Sequence, residues 1–71
     1  MIEANMKFIK LANCRWINAE KITVLYIDAR EKDLYIVMAD VDDGGYHMIK
    51  KFQSFEDAEE FLQDLINSLS S

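Results

Sequence analysis

An α+β fold, an antiparallel meander of four to five strands followed by one C-terminal amphipathic helix packed on one face, is predicted by three features of this 71-residue sequence. Apolar residues recur at helical spacing near the C-terminus. The preceding segments are rich in β-branched and aromatic residues. Between those segments lie short Asp-, Asn- and Gly-containing turns, too short for the crossover that parallel pairing requires.

The helix has the strongest pattern. Phe55, Ala58, Phe61, Leu62, Leu65, Ile66 and Leu69 fall at i, i+3, i+4 and i+7 and form one apolar stripe. Ser54 stands as N-cap with Asp57 three residues on, and Glu56, Asp57, Glu59 and Glu60 crowd the first turns, where the helix dipole favours negative charge. These limits predict a helix from Phe55 to Ser68.

Strands account for the rest. Lys7–Ala12 is β-rich, and Asn13-Cys14 suits a tight turn into Arg15-Trp16-Ile17, with Asn18–Lys21 as a polar turn or a single helical turn. Ile22–Asp28 is the strongest strand, and Arg30–Asp33 a charged turn. Leu34–Ala39 follows, and Asp42-Asp43-Gly44-Gly45 supplies hairpin chemistry into Tyr46–Phe52. The chain reads as a single domain over residues 1–71, with residues 1–5 a dispensable flexible extension and Met6 an alternative start.

Composition narrows the function. Apolar residues make up 51% of the chain, which excludes disorder, and a lone Cys excludes an internal disulfide framework. No apolar run approaches the length of a membrane span, and no signal core is present. A cytoplasmic protein without membrane contact is the expectation. The formal charge is −5, which argues against direct nucleic-acid binding as the primary role. That charge is local. Residues 1–51 carry eight acids and eight bases, whereas residues 52–71 carry five acids and no base.

The central strands lack the apolar–polar alternation of a half-solvated sheet. In the first, Ile22, Val24 and Tyr26 oppose Thr23, Leu25 and Ile27; in the second, Leu34, Ile36 and Met38 oppose Tyr35, Val37 and Ala39. One helix covers one face, so the other would stand in water as a contiguous apolar patch of the kind that marks an interface. Leu25, Ile27, Tyr35 and Val37 are the expected dimer face, and a homodimer the expected assembly. A small rolled barrel, or a face for another protein, is the alternative.

Chemistry-bearing motifs are sparse. Asp40-Val41-Asp42-Asp43-Gly44-Gly45 resembles the start of a calcium loop, but Gly44 holds the fifth position and Lys51 the twelfth, where a bidentate Glu is needed. His47 has no second ligand at metal spacing, Cys14 no base near it in sequence, and Trp16 reads as a core anchor. No catalytic constellation, metal set or cofactor motif is visible, and a non-enzyme is expected. Glu56, Glu59, Glu60 and Asp64 form an acidic helix face, either a solvated surface or a contact for a basic protein partner.

The stretch Lys10–Ile22 (Lys-Leu-Ala-Asn-Cys-Arg-Trp-Ile-Asn-Ala-Glu-Lys-Ile) and the helical ending Phe52–Leu69 resemble small uncharacterised bacterial and phage-encoded proteins of ββββα order. A more distant likeness is to the flagellar FlbD proteins, which share a Leu-x-Asn turn and an Ile/Leu-Asn-Ala-x-x-Ile segment. Cys14 stands where Gly is usual, and the acidic loop Asp40–Gly45 is longer than in that pattern. The resemblance implies a non-enzymatic small domain and transfers no functional residues. The sequence-level expectation is a non-catalytic, self-associating protein-interaction module. The alternative is an acidic inhibitor or nucleic-acid mimic, encoded by a phage or mobile element and acting through the last helix.

Overall fold

A computed structural model describes residues 7–70; the expectations for residues 1–5 and Met6 lie outside that range. Its elements run β1 (Phe8–Lys10), β2 (Trp16–Asn18), a 3-10 turn (Ala19–Lys21), β3 (Ile22–Glu31), β4 (Leu34–Val41), β5 (Tyr46–Phe52) and α1 (Phe55–Ser70). The fold is α+β with an antiparallel meander and a C-terminal helix packed against the strands. Its five strands divide between two sheets, so the meander proper is smaller than the four to five strands expected. β3-β4-β5 form a three-stranded sheet, and β1-β2 a separate hairpin.

Local chemistry sets most boundaries. In α1 the Asp57 amide donates to Ser54 Oγ at 3.1 Å, the expected cap, and the helix runs about 24 Å at 1.5 Å per residue. Asn18 caps the 3-10 turn, its Oδ1 accepting from the Glu20 amide at 2.9 Å. β3 continues through Ala29–Glu31, so the expected charged turn shrinks to Lys32-Asp33, with Asp33 at φ 64°. Asp tolerates that left-handed conformation because its short side chain bonds locally. Gly44 takes φ 92° in the β4–β5 loop, where the Gly45 amide donates to Asp43 Oδ1 at 3.0 Å. The loop is thus the expected Asp-Gly turn.

Cys14 is also left-handed, with φ 69°, in the turn between β1 and β2. The turn closes through the Leu11 amide on the Arg15 carbonyl at 2.7 Å and the Cys14 amide on the Leu11 carbonyl at 3.0 Å. A Cβ at positive φ crowds the neighbouring carbonyl, a cost glycine does not incur. Cys14→Gly is therefore expected to stabilise the protein by about 0.5–1 kcal/mol, after allowance for the greater freedom of glycine in the unfolded chain. Urea unfolding monitored by circular dichroism checks it; a lowered midpoint would contradict the strain.

Registers decide the two faces of the sheet. Across β3 and β4, Leu25 pairs with Ala39, Ile27 with Val37 and Ala29 with Tyr35, and directly opposed residues share a face. On this face the helix packs: Ile9, Leu11, Val37, Ala39, Ile49 and Ala58 form the buried cluster, with Leu25, Ile27, Tyr35, Phe52, Phe61 and Leu65 against it. A β-bulge in β5 beside Val37 and Met38 directs Ile49 into this core while Lys50, its neighbour, lies over the Phe52 and Phe61 rings on the same side, each centroid 5.5 Å from Nζ. The inner residues of the hairpin, Ile9 and Ile17, join the same core, so α1 and the hairpin share one side of the sheet.

The expected dimer face is corrected by this arrangement. Leu25, Ile27, Tyr35 and Val37 lie under the helix, and Val37 is completely buried. The physical reason is charge. On β3 and β4 the opposite face carries Asp28 and Asp40, whereas the face chosen by α1 presents Leu25, Ile27, Ala29, Tyr35, Val37 and Ala39 with no charged side chain.

Candidate functional site

The face left open by α1 is built from three cross-strand rows. Val24, Asp40 and Tyr46 make one; Tyr26, Met38 and Met48 the middle; Asp28, Ile36 and Lys51 the third. Val24, Tyr46 and Met48 are 48%, 67% and 39% exposed, large apolar areas for side chains with polar alternatives at every position. Ile36 and Met38, on the central strand between β3 and β5, are buried, so the exposed apolar area of this face lies at Val24, Tyr46 and Met48.

Its charges are ordered. At one end the Tyr26 hydroxyl lies close enough to the Asp40 carboxylate to feel its charge. At the other, Arg30 donates through Nε to Asp28 Oδ2 at 2.5 Å and is held more firmly protonated by that contact, with Lys51 completing a net positive end. Partial desolvation, then the charge of Asp40, push the Tyr26 phenol above its ordinary 10. The neutral phenol is favoured in the folded state, so its contribution to stability is present below pH 10 and is lost as pH rises through the elevated folded value. Asp40→Asn is expected to return the titration of Tyr26 towards 10, read by tyrosinate absorbance; an unchanged titration would remove Asp40 as a cause.

The other sequence candidates fall elsewhere. Glu56, Glu59, Glu60 and Asp64 are all exposed and share one shallow surface of α1 with Asp57 and Gln63. In the acidic loop, Asp43 is engaged by the Gly45 amide and Asp42 stands 3.9 Å from Lys21, while Asp40 faces Tyr26 on the open face. The carboxylates thus diverge from one another. His47 lies half-buried in a shallow depression beside Ile17, Asn18 and Asp43. Cys14 is exposed, and Trp16, expected as a core anchor, is 60% exposed on the outer side of the hairpin. Among the described residues no three His, Cys, Asp or Glu side chains group as a metal site would need, and no helix is long and apolar enough to cross a membrane.

Sequence reasoning missed Val24, Tyr26, Met38, Tyr46 and Met48 as the open surface. The available signal was parity: Asp28 lies two residues beyond Tyr26, and Asp40 two beyond Met38, so each charge shares a face with the apolar residue before it. The chain matches no protein-family model, no curated protein and no solved structure.

Proposed function

We propose that this protein is a cytoplasmic, non-catalytic interaction module that self-associates through the open face of its three-stranded sheet. The observation that carries the reading is the exposed apolar area of Val24, Tyr46 and Met48, arranged around Tyr26 and the buried Met38 on the sheet face that α1, the one long helix among the described residues, does not cover. The partner is a second copy because the face is complementary to itself. A two-fold axis near Met38 stacks the two middle rows and sets the Asp40 end of one protomer against the Lys51 end of the other. Another protein would have to match this polarity by coincidence of its own. The exposed thiol of Cys14 accords with a reducing compartment.

Three strands about 4.8 Å apart, paired over about seven residues, offer a face of roughly 15 by 25 Å, which buries less than a standard interface and places the assembly among the reversible ones. Light scattering at about 100 µM should therefore report twice the chain mass of 8.3 kDa, with dissociation on dilution. Val24→Asp is expected to yield a folded monomer, since Val24 is half-exposed in the protomer and a carboxylate there meets water until the copies meet. A wild-type monomer at that concentration, or an undiminished dimer of the Val24→Asp protein, would overturn the reading.

A further inference from the structure

We propose that the outer surface of the β1–β2 hairpin, with the groove beside it, binds single-stranded nucleic acid. This site lies on the side of the sheet opposite the self-association face and stands independently of it. Residues 7–19 contain Lys7, Lys10 and Arg15 and no acid, so the hairpin is a basic island in an acidic chain. The register Phe8–Asn18 and Lys10–Trp16 puts these four residues on the outer face, while Ile9 and Ile17 point into the core. Phe8 and Trp16 are 53% and 60% exposed, diagonal neighbours across the ladder with Lys10 beside them. Next to this platform runs a groove between β1, β5 and α1 whose walls include Phe8, Lys10, Lys50 and Phe61 and no carboxylate.

The chemistry of the site selects its ligand. Lys10, Arg15 and Lys50 complement a polyanion, and the two exposed rings of Phe8 and Trp16 offer aromatic area on which unstacked bases can stack. An acidic peptide would satisfy the cations and leave the rings in water. A membrane would need the hairpin tip to insert, but the tip is tied down: the Ala12 amide donates to the Met48 carbonyl of β5 at 2.9 Å. The five acids behind the chain's net charge of −5 line a separate surface of α1, and none of them lines the groove. The overall charge had argued against nucleic acid; the distribution of charge permits it on this one surface.

Trp16 is the only tryptophan in the chain and reports directly on the site. Titration of the full chain with an oligothymidylate of about a dozen nucleotides at about 50 mM salt should quench its fluorescence and saturate. Three phosphate contacts predict a slope of log K on log salt of about −2, from roughly 0.7 per contact on a single strand. Phe8→Ala and Lys10→Glu, both at exposed positions, should each weaken binding about 5-fold or more while leaving the circular dichroism spectrum unchanged. The proposal is overturned if the oligonucleotide leaves Trp16 unquenched at about 100 µM, if the salt slope is near zero, or if polyglutamate of equal charge binds as tightly.

Discussion

Val37→Asp is expected to unfold the protein. Val37 is completely buried at the centre of β4, between the Ile27 row of β3 and the bulged segment of β5, in the cluster that includes Ala39, Ile49 and Ala58. No polar or charged side chain is buried anywhere among the described residues, so a carboxylate there would find no donor. An unpaired buried charge costs at least about 4 kcal/mol, even where it escapes by taking up a proton. A chain of 71 residues has a total stability of roughly 4–10 kcal/mol, so the substitution removes most or all of it. Far-UV circular dichroism and a thermal melt are the measurements. The contrast with Val24→Asp on the other face is the informative part: the same chemical change, in the adjacent strand, should leave the fold intact. If Val37→Asp melted within a few degrees of the wild type, the helix would not cover that face.

Ile49→Ala carries the second-largest effect. Ile49 is the extra residue of the β5 bulge and is buried against Ile9, Leu11 and Ala58, which joins the hairpin, the sheet and the helix at one point. Truncating a buried Ile removes the transfer energy of three methyl or methylene groups and leaves a cavity, together about 3 kcal/mol. For a domain of this size that lowers the melting temperature by about 12 °C or more. Differential scanning calorimetry reads it, and a shift of only a few degrees would place Ile49 outside the core. Because the hairpin has only three-residue strands and depends on this junction, fluorescence of Trp16 should change in the same transition.

These two residues also show how far the sequence could be read. Val37 sits in a run, Leu34 to Val41, in which seven of the eight side chains are apolar and the middle four are buried whichever way they point. Alternation cannot assign faces to such a strand, because both parities are apolar. The decisive residues were Asp28 and Asp40 at the strand ends, whose charge keeps their face away from the helix. Ile49 is harder still. A strict two-residue period through β5 would place Ile49 and Lys50 on opposite faces, and only the bulge allows both to lie on the helix side. No local signal marks the bulge, since it arises where β5 must accommodate β4 and the hairpin tip together.

The candidate surface followed the same logic. That one sheet face would be left uncovered was legible from the count of apolar residues against a single helix; which face it would be was not. The resulting interface reading moved from Leu25, Ile27, Tyr35 and Val37 to Val24, Tyr26 and Met38, a shift of one residue on β3 and β4, joined by Tyr46 and Met48 of β5. Trp16 moved in the opposite sense, from expected core anchor to exposed hairpin ring, because its register opposite Lys10 puts it on the outer face while the Ile9–Ile17 pair turns inward.

By itself the sequence determined the order of elements, the start of α1 and where the turns fall to within two or three residues. These depend on interactions within a few residues: the Ser54 cap, the 3.6-residue apolar stripe, the Asp-Gly loop, the left-handed Cys14 and Asp33. The tertiary structure alone decided that five strands divide into a hairpin and a three-stranded sheet, which face α1 covers, and which aromatic residues remain in water. Those outcomes rest on register, where a shift of one residue exchanges the two faces at almost no local cost, so only the packing of distant segments can choose between them.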